Sequence, residues 1–180
     1  AFGQHENKWV LIGGRTDGLH ARQRFASFPK SDNNTRIYVV DISAKKMWSA
    51  SITTLSNALS EQLQSTNMNF HQIEDTLYVI GGYGYSDTKQ DHITYPYLTT
   101  ITVSSLIDDV INGNAIADNF HQLEDSVFAV CGGQLNHLNN DLYLVGGQTF
   151  TGRYNPMGHN TYVQSYTNEI RTFRVQNKNN

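Results

Sequence analysis

The sequence predicts an all-β fold built from about three repeated four-stranded antiparallel sheets, with one or two short helices inserted between strands. Three observations support this prediction. A 13-residue segment recurs three times without gaps, each copy contains a short apolar run that ends in a Gly-Gly pair, and β-branched and aromatic residues alternate with polar ones between the copies. The copies are residues 2–14, 70–82 and 135–147.

The Gly-Gly pairs set the period of the repeat, which is 68 residues from the first pair to the second and 65 from the second to the third. Glycine has no Cβ atom, so each pair allows the backbone to turn sharply and to pack close to a neighbouring sheet. A fixed period of this size indicates a β-propeller or another repeat array. The glycines to which we assign this structural role are Gly13, Gly14, Gly81, Gly82, Gly146 and Gly147.

Each copy has the pattern of a β-hairpin. A first strand leads into a short polar turn, and a second strand of four or five apolar residues follows it. An apolar run this short is typical of a strand that is buried on both faces. The predicted turns are Glu6-Asn7, Glu74-Asp75 and Asn139-Asn140.

The remaining strands follow each hairpin. β-branched and aromatic residues predict a third strand in every repeat and a fourth strand in the first two, whereas the third repeat runs out before an obvious fourth strand. Residues 127–131 lead into the third repeat. The predicted third strands are residues 36–41, 98–103 and 170–175, and the predicted fourth strands are residues 46–51 and about 119–123.

Two short helices are predicted between strands. Ser104 can cap a helix over residues 106–111, and Gly113 can stop it. Ser56 can cap a helical turn that extends to Leu63.

The order of apolar run, Gly-Gly, long loop, aromatic strand with Asp, and later Trp resembles kelch repeats. The first repeat fits best, with Gly13 and Gly14, Tyr38, Asp41 and Trp48, whereas the other two keep the glycines and lack the Trp. The resemblance implies a kelch-like β-propeller, in which four-stranded blades surround an axis and the first strand of each blade is innermost. It is nearest to bacterial extracytoplasmic kelch and galactose-oxidase-like propellers, which implies a periplasmic, cell-surface or secreted location.

The chain is therefore expected to be a single partial propeller domain over residues 1–180. Blade one covers residues 1–66, blade two 67–126, and blade three 127–180 without its last strand. Because propellers typically carry four to eight blades, three blades form an incomplete ring. The remainder of the ring is expected in the same chain or in another copy.

The long loops after the Gly-Gly pairs, residues 15–35, 83–97 and 148–168, are expected to share one rim, because loops that join strands two and three lie on one face of a propeller. Aromatic rings stack on sugars, and arginine binds carboxylates, so this rim is a candidate ligand-binding surface. The alternative is that the same side chains only pin the loops. The candidate residues are Arg15, Asp17, His20, Tyr83, Tyr85, His92, Tyr95, Arg153, Tyr154, Asn155 and His159.

No metal or other cofactor is predicted. His20, His92 and His159 lie one in each loop, but no two histidines have the spacing of metal ligands. Cys131 follows an apolar run and is expected to be a buried strand residue; the alternative is a reactive or cross-linked cysteine. Some kelch-like propellers are copper radical oxidases with a thioether-linked cysteine, and Cys131 is the one residue here that resembles it.

Composition narrows the classes of partner. Charged residues make up 16% of the chain and the formal net charge is -3, whereas a nucleic-acid or anionic-membrane surface needs clustered Lys and Arg. No apolar stretch is long enough to span a membrane. No motif of a hydrolase or a nucleotide-binding protein is present.

Two functions remain. The first is a non-catalytic binding or scaffold propeller whose partner is a protein or a glycan. The second is a sugar-active kelch enzyme, such as an epimerase of acidic sugars, in which Arg15 and Arg153 would clamp a carboxylate.

Overall fold

The computed structural model describes residues 1–18, 21, 26–157 and 161–175. Within these ranges, fifteen β-strands form four antiparallel sheets, and two α-helices lie between strands. The all-β prediction is therefore confirmed. The strands are β1 (Phe2–His5), β2 (Lys8–Leu11), β3 (Arg36–Asp41), β4 (Lys46–Ser51), β5 (Asn69–Ile73), β6 (Thr76–Ile80), β7 (Tyr83–Ser86), β8 (Asp91–Thr94), β9 (Tyr97–Thr102), β10 (Phe120–Glu124), β11 (Gln134–Leu138), β12 (Asp141–Val145), β13 (Gln148–Gly152), β14 (Tyr162–Tyr166) and β15 (Ile170–Phe173), and the helices are α1 (Asn57–Leu63) and α2 (Val103–Asn112).

Three of the sheets correspond to the three sequence repeats. The first sheet has the strand order β1-β2-β3-β4, the second β5-β6-β9-β10, and the third β11-β12-β15. Each begins with the predicted hairpin and adds later strands on one side only. The third sheet has three strands within the described residues, as its sequence predicts.

The fourth sheet was not predicted. Its strand order is β14-β13-β8-β7, so it joins a hairpin from the second long loop to a hairpin from the third, and we call it the loop sheet. The two hairpins meet at Thr151 and Ile93. Thr94 reinforces the junction, because its hydroxyl donates to the Phe150 carbonyl and accepts the Phe150 N–H at 2.7 Å.

The hairpin turns repeat one backbone conformation. Glu6, Glu74 and Asn139 occupy equivalent positions and have φ angles of 51°, 51° and 55°. Two-residue turns with a positive φ match the right-handed twist of the flanking strands. The predicted positions of all three turns are confirmed.

The Gly-Gly pairs also share one conformation, and the first two pairs contact the segment that enters the next sheet. All six glycines have φ between 64° and 98°, a region that glycine enters without steric cost. The N–H of Gly14 donates to the carbonyl of Ser65 at 2.9 Å, and the N–H of Gly82 donates to that of Val130 at 3.4 Å. Ser65 and Val130 each lie four residues before the first strand of the following sheet.

Two apolar cores lie between consecutive sheets. The core between the first and second sheets also receives one face of α2, which includes Leu106 and Val110. Trp48 packs against this core. The second core lies between the second and third sheets and includes Ile80, Leu98, Leu135, Leu142 and Leu144.

One apolar position of the repeat is buried in two sheets and exposed in the other. Val79 and Leu144 are 0% exposed because each faces the preceding sheet, whereas the equivalent Leu11 is 38% exposed. Trp9 and Phe2 on the same face are exposed to a similar extent and contact each other edge to face. The first sheet therefore presents an apolar face with no neighbour among the described residues.

The helix predictions are partly right. Ser56 caps α1 as predicted, and Gly113 ends α2 with φ of 72°. The prediction that Ser104 caps the second helix is wrong, because α2 begins at Val103 and Asp75 binds both the N–H and the hydroxyl of Ser104. No helix within the described residues is long and apolar enough to cross a membrane.

Substitution of equivalent leucines should measure this difference in burial. We expect Leu144→Ala to lower the free energy of unfolding by about 2–5 kcal/mol, because it leaves a cavity in the second core. Leu11→Ala should cost about 1 kcal/mol, because the partly exposed Leu11 side chain buries less apolar area on folding than Leu144 does. Urea denaturation compares the two variants. Equal losses would mean that another sheet covers the face of Leu11 in solution.

Two equivalent glycines separate backbone strain from steric contact. Gly81 and Gly146 have φ of 66° and 64°, but a Cβ on Gly81 would lie 1.8 Å from the Val130 carbonyl oxygen, whereas one on Gly146 would meet nothing within 4 Å. Gly146→Ala should cost about 1–2 kcal/mol from the left-handed conformation alone. Gly81→Ala should cost clearly more, as measured by urea denaturation. Equal costs would show that the close contact with the Val130 carbonyl does not exclude a side chain at residue 81.

Candidate functional site

Arg15 connects the parts of the first long loop. Its Nε and Nη2 donate to the two carboxylate oxygens of Asp17 at 2.9 and 2.8 Å, and its Nη1 donates to the Pro29 carbonyl and to Asn33 Oδ1. Asp32 Oδ2 lies 3.7 Å from Nη2. The side chain is only 8% exposed. These contacts bring Arg15 and Asp17 together as an internal ion pair.

A chain of hydrogen bonds ties the first loop to the third, and the third to the second. Arg153 Nε donates to the Ser27 carbonyl at 2.5 Å, and the Ser27 hydroxyl donates to the Tyr154 carbonyl at 2.6 Å. The Tyr83 hydroxyl accepts the Tyr154 N–H and donates to the Gly152 carbonyl, both at 2.8 Å. Burial raises the pKa of Tyr83, so its hydroxyl stays protonated. The three predicted loops therefore meet.

His92 and two tyrosines support this junction from the second loop. His92 Nε2 lies 2.8 Å from the Phe28 carbonyl oxygen, so this nitrogen carries the proton and donates it. Burial lowers the pKa of His92 and favours its neutral form. The Tyr85 ring contacts the imidazole edge to face, and the buried Tyr95 donates its hydroxyl to the Tyr85 carbonyl at 2.8 Å.

Asn155 lies at the turn of the third loop. Its Oδ1 accepts the Met157 N–H at 3.1 Å, which is the bond of a local polar turn. Its Nδ2 is buried without a hydrogen-bond partner among the described residues. Asn155 therefore shapes the loop from inside.

A cavity of about 510 Å³ opens where the three loops meet the connection between the first two sheets. Its walls combine aromatic rings with amide and hydroxyl groups, and Arg15 is the one charged residue among the described residues that line it. The lining residues are Arg15, Gly18, Phe28, Thr66, Asn67, Tyr83, Gln148, Phe150, Tyr154, Gln164 and Tyr166.

One face of the β13–β14 hairpin forms a wall of this cavity. Gln148 lies opposite Tyr166, and Phe150 lies opposite Gln164. Directly opposite residues of an antiparallel pair project to the same side of the sheet. In each of these two cross-strand pairs, an amide side chain therefore lies next to an aromatic ring.

The structure sorts the candidate residues into three groups. Arg15, Tyr83 and Tyr154 line the cavity. The candidates that instead hold the loops around it are Asp17, Tyr85, His92, Arg153 and Asn155. Tyr95 lines a separate cavity of about 370 Å³ beside Glu61. His20 and His159 lie outside the described residues. Sequence analysis missed Asn67, Gln148, Phe150, Gln164 and Tyr166, although the alternation in residues 148–152 and 162–166 is a strand signal that identifies a common face.

The described residues contain no group of three or more His, Cys, Asp or Glu side chains that would hold a metal ion. Cys131 is buried beside Tyr83 and Phe150. Burial raises the pKa of its thiol to about 11, so the thiol is protonated near neutral pH and is a poor nucleophile. Cys131 is buried as predicted, but it lies outside the strands and forms only an isolated bridge with Gln148.

The first strands of the repeats contact one another side by side. The Gln72 side chain accepts the Gln4 N–H at 2.7 Å and donates to the Gln4 carbonyl at 2.8 Å. Between the next two first strands, His71 Nε2 lies 2.7 Å from His137 Nδ1. Burial, and then the charge of His137, lower the pKa of His71.

No protein-family model matches this sequence, and no curated protein matches it.

Acidification should weaken the contact between the second and third sheets. The pKa of His71 is lower in the folded protein than the value of about 6.5 in an unfolded chain. The contribution of His71 to stability is therefore fully present above pH 6.5 and is lost as the pH drops below it, because the unfolded chain binds the proton more tightly. His71→Gln should reduce the slope of unfolding free energy between pH 7 and 5, with a residual slope from buried His92 and from the buried amino terminus of Ala1, whose pKa is lowered to about 6. An unaltered slope in His71→Gln would contradict the assignment.

Proposed function

We propose that this chain is part of a kelch-like β-propeller, and that it is a non-catalytic binding or scaffold module located outside the cytoplasm. Its partner is a protein or a glycan that contacts the face formed by the long loops. The cavity at the junction of these loops is the observation that carries the proposal. The extracytoplasmic location rests on the resemblance to bacterial kelch proteins.

The arrangement of the three repeat sheets supports the propeller part of the proposal. Consecutive sheets pack face to face, and their first strands contact one another through Gln4 and Gln72 and then through His71 and His137. The exposed apolar face around Trp9 and Leu11 matches positions that the later sheets cover. A further sheet, from the same chain or from another copy, would cover it in the same way.

Binding without catalysis is supported by the state of the ionisable groups. An acidic-sugar epimerase would need arginines that clamp a carboxylate and a group that moves a proton. Arg15 instead binds Asp17 and Asn33, and Arg153 donates to the first loop. His92 donates to a backbone carbonyl, which occupies the proton that catalysis would use. These contacts favour the binding module over the enzyme.

The loops form a rigid surface around the cavity. Phe28, Tyr83, Phe150, Tyr154 and Tyr162 pack against one another with ring centroids 4.9–5.9 Å apart. Rigid aromatic surfaces bind partners with little loss of side-chain entropy. Loop pinning and ligand binding are therefore compatible, because the pinned side chains fix the shape of the site.

A cavity-blocking substitution tests this function. Tyr166→Arg places a charge at the mouth of the cavity, and Val163→Arg places one on the opposite face of β14, where Val163 is also exposed. The probes are immobilised polysaccharides and a random-peptide phage library. We expect probes retained by the wild-type chain to be lost by Tyr166→Arg and kept by Val163→Arg. If no probe distinguishes the two variants, the loop face is not the binding surface.

A further inference from the structure

The β13–β14 wall holds a donor and an acceptor side by side. Gln164 Nε2 donates to Gln148 Oε1 at 2.5 Å. This bond leaves the Gln148 amide N–H groups and the Gln164 amide oxygen without a hydrogen bond to any described residue, and both belong to side chains that line the cavity. A hydroxyl group both donates and accepts, so a single hydroxyl can satisfy both members of this pair. Sugars carry such hydroxyls on nearly every carbon.

An exposed aromatic ring stands next to this pair. Tyr166 lies directly opposite Gln148, lines the cavity and is 78% exposed. An aromatic ring offers an apolar face with a polar edge, which suits the alternating C–H and O–H surfaces of a sugar ring. Within the described residues, Tyr166 is the most exposed aromatic side chain of the cavity wall.

Arg15, the one charged residue of the described wall, is already paired with carboxylates. Arginine has five N–H donors, and Arg15 makes four hydrogen bonds, to Asp17, Pro29 and Asn33, with Asp32 3.7 Å from Nη2. A carboxylate or phosphate at this wall would gain no bidentate contact from Arg15 and would meet the field of two aspartates. An uncharged ligand does not need a bidentate contact from Arg15 and is not repelled by the two aspartates.

The form of the cavity favours a sugar over a peptide. Peptides are recognised through main-chain pairing along a sheet edge or through apolar pockets for side chains. Thr66, Asn67, Gln148 and Gln164 instead give this cavity a dense set of amide and hydroxyl groups. Its volume of about 510 Å³ lies in the range of about 300–1,000 Å³ that is common for small-ligand sites.

We propose that this cavity binds an uncharged sugar unit of a glycan, with Tyr166 stacked on the sugar ring and the Gln148–Gln164 pair bound to a sugar hydroxyl. The inference rests on the proposed binding function and narrows its partner to a neutral glycan. It adds residues of the β13–β14 hairpin, rather than the charged loop residues, as the groups that touch the ligand.

Affinity electrophoresis tests the inference with polysaccharides in the gel. Neutral glucans, galactans, mannans and xylans are compared with acidic polygalacturonate and alginate. We expect at least one neutral polysaccharide to retard the wild-type chain, and Tyr166→Ala to weaken this binding at least tenfold. Val163→Ala, on the opposite face of the same strand, should bind as the wild type does. Thermal melting followed by circular dichroism verifies that each variant is folded.

A second readout is nuclear magnetic resonance of the side-chain amides. The neutral polysaccharide, supplied as an oligosaccharide, should shift the amide resonances of Gln148 and Gln164, and Gln148→Ala with Gln164→Ala should weaken binding. Acidic polysaccharides that bind through Tyr166 would overturn the neutral class and leave the binding function intact. A peptide probe that is lost with Tyr166 would overturn the glycan assignment. Absence of any Tyr166-dependent probe would overturn the binding function as well.

Discussion

The contact between a Gly-Gly pair and the segment that enters the following sheet, which the first two pairs make, is the constraint on which the structure depends. Gly81 passes so close to Val130 that no side chain fits, and Gly82 donates to the Val130 carbonyl. The first pair makes the equivalent bond to Ser65. Asn69 reinforces the second junction by donating to the carbonyls of Val130 and Ile80. These bonds join the end of the second strand to the entry of the next sheet at both junctions.

On the face formed by the long loops, charged side chains of the first long loop pair with each other. The Arg15 side chain is buried, and it pairs with Asp17 while it connects distant parts of its own loop. Hydrogen bonds to charged groups are among the stronger ones in a protein, so they help to hold the first long loop, which contributes no strand to the loop sheet. The consequence is that charge stabilises the site, and amides and aromatic rings remain to contact a ligand.

The repeat also shows how one sequence position acquires different roles. Leu144 fills a core because a sheet precedes its own, whereas Leu11 occupies the same place on an open face. At the first strands, Gln72 binds the backbone of the neighbouring strand in one junction. His137 occupies the equivalent position in the next junction, where it contacts His71. The fold thus keeps the geometry of its junctions while their chemistry, and their response to pH, differs.

The sequence by itself determined the features that depend on neighbours along the chain. The hairpin turns at Glu6, Glu74 and Asn139, the Gly-Gly conformation and the cap at Ser56 follow from local conformational preferences, and the structure reproduces them. Local signals gave the wrong start for α2. The Ser104 hydroxyl binds Asp75, which is distant in sequence, and therefore does not cap the helix.

Only the tertiary structure decided which side chains meet in the cavity. The loop sheet forms because two loops from different repeats lie side by side, and the pairing of Gln148 with Tyr166 depends on the register of β13 and β14. The internal pairing of Arg15 likewise requires the first loop to close on itself. Such contacts join residues whose separation along the chain carries no periodic signal, so packing alone selects them.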